Sequence, residues 1–251
     1  MQCFFSLIIP FKNKRVSRKT KGRIIQLNNH STINLKGSSI LQISLPYRAM
    51  RVTVVIIFMF GVLTSKSQTP KASAAEFKWA IFHPFAAIKV KKITKAANLL
   101  LPTLNIKEAL DNYTAGGKAD AFRHVYFMAL YAQKIKAKKL IKLGKAHEKS
   151  NYRQYKKYKD EYGEKPDSLS SVMDLNNNKV GIKIGHENKS LEKKELATLV
   201  IKDIQNGKAL IMKRNDKGEY LDCNGKIINV NEFDHRWYVP KCLVQSDFIY
   251  N

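Results

Sequence analysis

Helical periodicity with charged groups on its inward stripe constrains this chain more than any other feature. In KADAFRHVYFMALYA, Asp120, Arg123, His124, Phe127, Met128 and Tyr131 recur at steps of three and four. Those steps place them on one face of a helix that starts near Lys118, after the loop Ala115-Gly116-Gly117. A second segment, Lys134 to Glu148, has the stripe Ala137, Leu140, Ile141 and Gly144, and its last turn brings in His147 and Glu148. A third opens at Ser171 and aligns Asp174, Asn177, Asn178 and Gly181. Each polar cluster shares the face that a helix buries. An unpaired buried polar group costs about 1–3 kcal/mol, and a charge costs more. The clusters therefore either satisfy one another as a network or build a site.

The rest of the chain reads as mainly helical. Residues 76–100 carry Trp79, Phe82, Ala86, Val90, Ile93, Ala97 and Leu100 at helical spacing, with Pro84 as a bend or a true start. A short helix follows from Ile106 to Tyr113, capped by Asn105. Residues 118–148 read as one helix or two, with no breaker between Gln133 and Ala137. Ser171 to Asp174 resembles a capping box, and Gly185 is the expected stop of the helix it opens. Three consecutive asparagines, Asn176 to Asn178, run against helix propensity, a local conflict typical of functional or tightly networked positions. Residues 190–206 turn Leu191, Leu196, Leu199, Val200 and Ile204 inward, and Gly207 caps them. Beyond that the period changes. Ala209 to Met212, Tyr220 to Cys223 and Lys226 to Val230 read as short strands joined by Asn/Gly turns. The expected fold class is mainly α, a compact multi-helix domain (76–206) with a small C-terminal antiparallel β meander and tail (207–251).

The first 49 residues hold nine Lys/Arg and no Asp/Glu, and read as a non-native or disordered extension. Residues 50–74 have the layout of a signal peptide: Met50 and Arg51, the apolar run Val52 to Leu63, then small residues. Cuts are expected between Ser67 and Ala74. Translation from Met50 gives an exported protein, periplasmic or extracellular. Translation from Met1 leaves a membrane anchor through residues 52–63. In an oxidising compartment, Cys223 and Cys242 are a candidate disulfide.

Formal charge is +25, and residues 50–251 still hold 36 basic against 20 acidic side chains. An anionic partner or surface is therefore expected: nucleic acid, lipid or envelope polymer. No specific protein partner or oligomeric state follows. Residues 149–167 interleave Tyr152, Tyr155, Tyr158 and Tyr162 with Arg153, Lys156, Lys157 and Lys159. This is either a basic binding surface or a surface helix whose tyrosines cover the core edge.

The chain has no GxSxG elbow, P-loop, dinucleotide fingerprint, HExxH or C-x-x-C pattern, so the matching nucleophile, nucleotide and zinc classes are set aside. Two histidines, three carboxylates, one arginine and two amides nevertheless fall inward within 59 residues. Asp120, His124, His147 and Asp174 are the candidate ligands for a divalent metal such as zinc, which needs three protein ligands and an open position. His124, His147, Glu148 and Arg123 are the candidate catalytic residues, as acid/base and charge stabiliser, with Asn177 and Asn178 as further polar members. The alternative is non-enzymatic. Asp120 and Asp174 would sit in first helical turns and His147 in a last turn, where the helix dipole favours their charges. The clusters would then be a buried hydrogen-bond network in a binding or structural module.

Three runs, KADAFRHVYFMALYA, AHE at 146–148 and MDLNNNKVG at 173–181, resemble an uncharacterised bacterial domain family of exported and toxin-like proteins. Its motifs read DAFRH … AHE … MDLxNNxVG, and the resemblance covers about residues 77–205. It implies that Asp120, Arg123, His124, His147, Glu148, Asp174, Asn177 and Asn178 are the family's motif residues. The chain departs from the pattern at Asn176, where many members carry His, and at Phe127, where Trp is common. The toxin-like contexts imply a hydrolase, acting here on an anionic substrate.

Overall fold

The computed structural model describes residues 73–157 and 165–250. The basic extension, most of the signal-like segment and Tyr158 and Tyr162 lie outside them. Among the described residues the fold is mainly α: seven helices and one two-stranded antiparallel sheet.

Apolar residues on every side make helix α4, Lys118–Ala132, the centre of the fold. All of it from Asp120 to Ala132 is buried except Arg123. Helix α6, Ser168–Glu187, crosses it with the two backbones in direct contact. A Cβ on Gly181 would lie 2.2 Å from the Val125 carbonyl oxygen, and one on Gly185 2.0 Å from that of Ala129. Both glycines thus serve close approach, and Gly185 does not end the helix, which runs two residues further. Helix α7, Lys193–Gln205, covers another side of α4 with Leu196, Ala197, Val200 and Ile204.

The expected long helix 76–100 is two. Helix α1, Ala74–Phe82, ends at His83, which leaves helical geometry (φ −136°, ψ 53°), and α2, Pro84–Leu100, begins at the proline. Proline disfavours helical geometry in the residue before it, which fixes the break. Helix α3 is shorter than expected, Ile106–Ala109. Asn105 sits in left-handed geometry (φ 44°) and makes no side-chain cap.

The 118–148 stretch is also two helices, although it holds no intrinsic breaker. Gln133 donates to the carbonyls of Asn188 and Leu191, and Ile135 is buried, so tertiary contacts pull the chain out of the helix. Helix α5, Ala137–Lys156, then runs eight residues past Glu148. Its extra turns dock because Tyr152 and Tyr155 both pack on Trp237, with ring centroids 5.0 Å apart in each pair. The described tyrosines of this stretch thus pack on a side chain of the C-terminal segment, and Tyr155 also donates to the His235 carbonyl at 2.6 Å.

Strand β1, Leu210–Met212, forms as expected, but its partner is β2, Leu243–Gln245, in the register Leu210↔Gln245. Residues 220–230 contribute single bridges, Arg214↔Tyr220 and Leu221↔Ile227, around the expected turns at Gly218 and Gly225. Cys223 and Cys242 are disulfide-bonded, which ties this loop back to the start of β2. Buried Arg214 lies between the rings of Tyr113 and Tyr220 and donates to the Ala115 carbonyl. The Met212 N–H donates to the Gly116 carbonyl at 2.7 Å. The C-terminal segment therefore fixes the loop from which α4 starts.

Candidate functional site

That loop, α4, α5 and α6 meet at a cleft of about 70 Å³. Asp120, His147, Asn151 and Asp174 line it, and Met212, Tyr220 and Lys241 come from the C-terminal segment. His124 lies beside it, fully buried.

Helical spacing stacks Asp120 and His124 one turn apart on α4, and the close crossing brings Asp174 of α6 against them. His124 Nε2 is 3.2 Å from Asp174 Oδ1 and 3.5 Å from Asp120 Oδ1. One ligand atom from each of the three lies within 4.8 Å of the others. Asp120 Oδ2 accepts the Gly116 N–H at 2.7 Å, and Oδ1 pairs with Arg123. Arg123 also donates to the Thr114 carbonyl through both terminal nitrogens. Burial alone would push the Asp120 carboxyl up, but Arg123, His124 and the Gly116 bond outweigh it and hold it below the usual carboxylate range.

Burial pushes His124 down to about 4, against the opposing pull of Asp120, so the imidazole is neutral near pH 7. A neutral imidazole has one N–H. Nδ1 faces the Asn178 side-chain oxygen at 3.3 Å, and an amide oxygen only accepts. Nε2 in turn faces Asp174 Oδ1 at 3.2 Å, which also only accepts, so the ring has an acceptor on each side; with the N–H on Nδ1, the Nε2 lone pair points towards two carboxylates. Metal-binding histidines use this arrangement, with the outer N–H on a carbonyl and the inner nitrogen on the ion. Two carboxylates and one imidazole beside a cleft fit a zinc-like divalent cation with room for water. Asn178 sets the ring's orientation, so its part is positioning.

His147 belongs to a second arrangement. Its Nδ1 is 2.9 Å from Glu76 Oε1, on α1. Glu76 Oε2 accepts the Ser73 N–H, and the Ser73 hydroxyl accepts the Glu76 N–H, a capping box that fixes the carboxylate. Burial raises the Glu76 carboxyl, but the His147 bond and the Ser73 contacts bring it below its ordinary value. An ionised Glu76 accepts the Nδ1 N–H of His147, which fixes the ring's tautomer and orientation.

The other expected site residues take different places. Glu148 is buried and accepts from Asn151 at 3.1 Å; of the two, only Asn151 lines the cleft. Asn177 clasps β1 by its backbone: its amide donates to the Leu210 carbonyl, and its oxygen accepts the Leu210 N–H. Asn176 is half-buried and does not line the cleft. The helix-dipole account holds for Asp120, in the first turn of α4, and fails for the other two. Helix α6 starts at Ser168 under an Asp167–Ser170 capping box, not at Ser171, so Asp174 lies in its second turn. His147 lies in the middle of α5.

Glu76 and the buried ion pair Lys241–Asp167, 2.8 Å apart with Lys241 over the Tyr220 ring, escaped the sequence reading. Ser73-Ala-Ala-Glu76 has capping-box spacing, a usable signal overshadowed by the signal-peptide layout around it. Nothing local joins Asp167 to Lys241.

No curated protein matches this chain. No solved structure matches it either. A family model described as a domain of unknown function, DUF6973, matches residues 77–208, which include Asp120, His124, His147 and Asp174. That match spans more than half of the sequence, and the chain belongs to this family of uncharacterised domains.

Proposed function

We propose that the protein is an exported bacterial hydrolase with a divalent-metal site at Asp120, His124 and Asp174. The observation that carries this reading is the convergence of those three side chains, ligand atoms within 4.8 Å, beside a cleft that also holds His147. When bound, the ion supplies Lewis-acid polarisation and activation of water at neutral pH. The chain's own groups do the rest. Asn178 orients His124, while Arg123 and Gly116 keep Asp120 ionised. Glu76 holds His147 with its proton on Nδ1, so Nε2 takes a proton from the attacking water and returns it to the leaving group. The excess of basic over acidic side chains in residues 50–251, 36 against 20, is in keeping with an anionic substrate such as phospholipid, nucleic acid or envelope polymer. Export is supported by the Cys223–Cys242 disulfide, a bond that persists in oxidising compartments. Among the described residues no helix is long and apolar enough to cross a membrane.

Zinc titration of the metal-stripped protein, followed by isothermal calorimetry, tests the site. Wild type takes up one zinc per chain, and Asp174→Ala loses about a hundredfold or more in affinity. Wild type without saturable uptake sinks the metal reading. Hydrolysis assays on the three substrate classes then identify the reaction.

A second reading, a non-enzymatic module, draws on one observation: Asn177 spends both ends of its amide on the Leu210 backbone. Melts of metal-free Asp174→Ala separate the two. A network loses several kcal/mol on removal of a buried partner, about 3–5. A metal site keeps or gains stability without its ion, because two neighbouring carboxylates become one.

A further inference from the structure

Helices α1 and α2 turn large apolar side chains away from the core. Phe77, Ile81, Phe82, Phe85 and Ile88 are all more than half exposed, and Phe85 is 80% exposed. Single exposed apolar residues are ordinary, but five within twelve positions on one helical corner form a patch. On α2 the outward stripe runs Phe85, Ile88, Lys92, Lys95, Leu99, at steps of three and four. Leu99 is 67% exposed, so the stripe has an apolar residue at each end and lysines between. Charge on these helices has one sign. Residues 74–100 contain five lysines and a single acid, Glu76. That acid is buried against His147, so no carboxylate of α1 or α2 faces outward.

We propose that the outer face of α1 and α2 docks on an anionic lipid surface, with Phe82 and Phe85 inserted at the corner and lysines at headgroup level. Three observations combine in this. The aromatic and aliphatic side chains offer the apolar depth that an interfacial helix buries. The lysines Lys78, Lys89, Lys92 and Lys95 supply attraction to anionic headgroups, and their long stems reach past an inserted ring. The inward face is already committed, because Trp79, Ala86, Val90 and Ala97 are in the core, so the outward groups are available without unfolding. An acidic protein partner would match the charge but would not need a phenylalanine at the apex of a helical corner. The proposal does not depend on the metal site or on the reaction.

The full chain carrying Phe85→Trp is the reporter, read as a difference spectrum against wild type, with vesicles of phosphatidylglycerol and phosphatidylcholine. Its added tryptophan emits as an exposed indole in buffer. It shifts to the blue with mixed vesicles, and does not shift with phosphatidylcholine alone. Emission unmoved by the anionic vesicles overturns the proposal. Emission already blue in buffer does so too, since it means that another part of the chain or a second copy covers the face. In co-sedimentation, Phe82→Ser/Phe85→Ser binds the anionic vesicles about tenfold less than wild type. Circular dichroism checks that its fold is kept. Equal sedimentation of the two proteins places lipid binding elsewhere and overturns the assignment.

Discussion

The two buried imidazoles sit in differently built surroundings. His124 lies at the α4–α6 crossing, where backbones touch through Gly181 and Gly185, and three polar side chains surround its ring. His147 lies where α1 meets α5, held by one carboxylate at 2.9 Å and lining the cleft itself. The first place is fully buried and crowded with acceptors, which suits an ion. The second holds its ring by a directional bond to a carboxylate fixed in a capping box, at a position that lines the cleft. On the proposed reading, two residues of the same type, one lining the cleft and one beside it, take separate duties.

Gly181→Val should break the first region and is expected to have the largest effect. Even its Cβ would meet the Val125 carbonyl at 2.2 Å, so α6 must move off α4, at a cost of about 3 kcal/mol or more. Urea melts should show that loss, together with loss of zinc uptake. His147→Ala should separate the two duties. Zinc affinity stays near that of wild type, while kcat falls about a hundredfold or more, the usual share of a general base. Equal loss of zinc uptake would merge the two regions into one site.

Glu76 gives the smallest effect and the finest test. Its pKa is lowered on folding, so its contribution to stability is present above the unfolded carboxyl value. That contribution is lost as pH falls through the folded value. Thermal melts from pH 7 to pH 3 should therefore converge for wild type and Glu76→Gln at the acid end and separate above about pH 5. A constant gap across that range would mean that the carboxylate's charge has no part in holding His147.

Periodicity was enough to find α4, α6 and the inward position of Asp120, His124, Asp174 and Asn178, because burial repeats with the helix and leaves its pattern in sequence. It was not enough to set helix ends that depend on distant partners. The break at 133–136 comes from Gln133 reaching the carbonyls of Asn188 and Leu191, and the long end of α5 from Trp237. Neither leaves a local mark. The different surroundings of the two histidines were equally hidden, since those of His147 depend on Glu76, 71 positions away. Asn177 shows the converse. An inward amide in a motif reads as chemistry, yet its geometry matches a strand's own hydrogen bonding to Leu210.

The Ser73 cap on α1 ties the position of Glu76 to the residues just before the helix. Glu76 is held by Ser73, three positions in front of it, so loss of residues from the N-terminal side spares the capping box only as far as Ser73. A cut after Ala74 would remove the serine, leave the carboxylate as the second residue of a fraying end, and set a new cationic amine beside it. If the proposed export includes such a cut, the grip of Glu76 on His147 would depend on which bond is cleaved, one residue deciding whether the capping box survives.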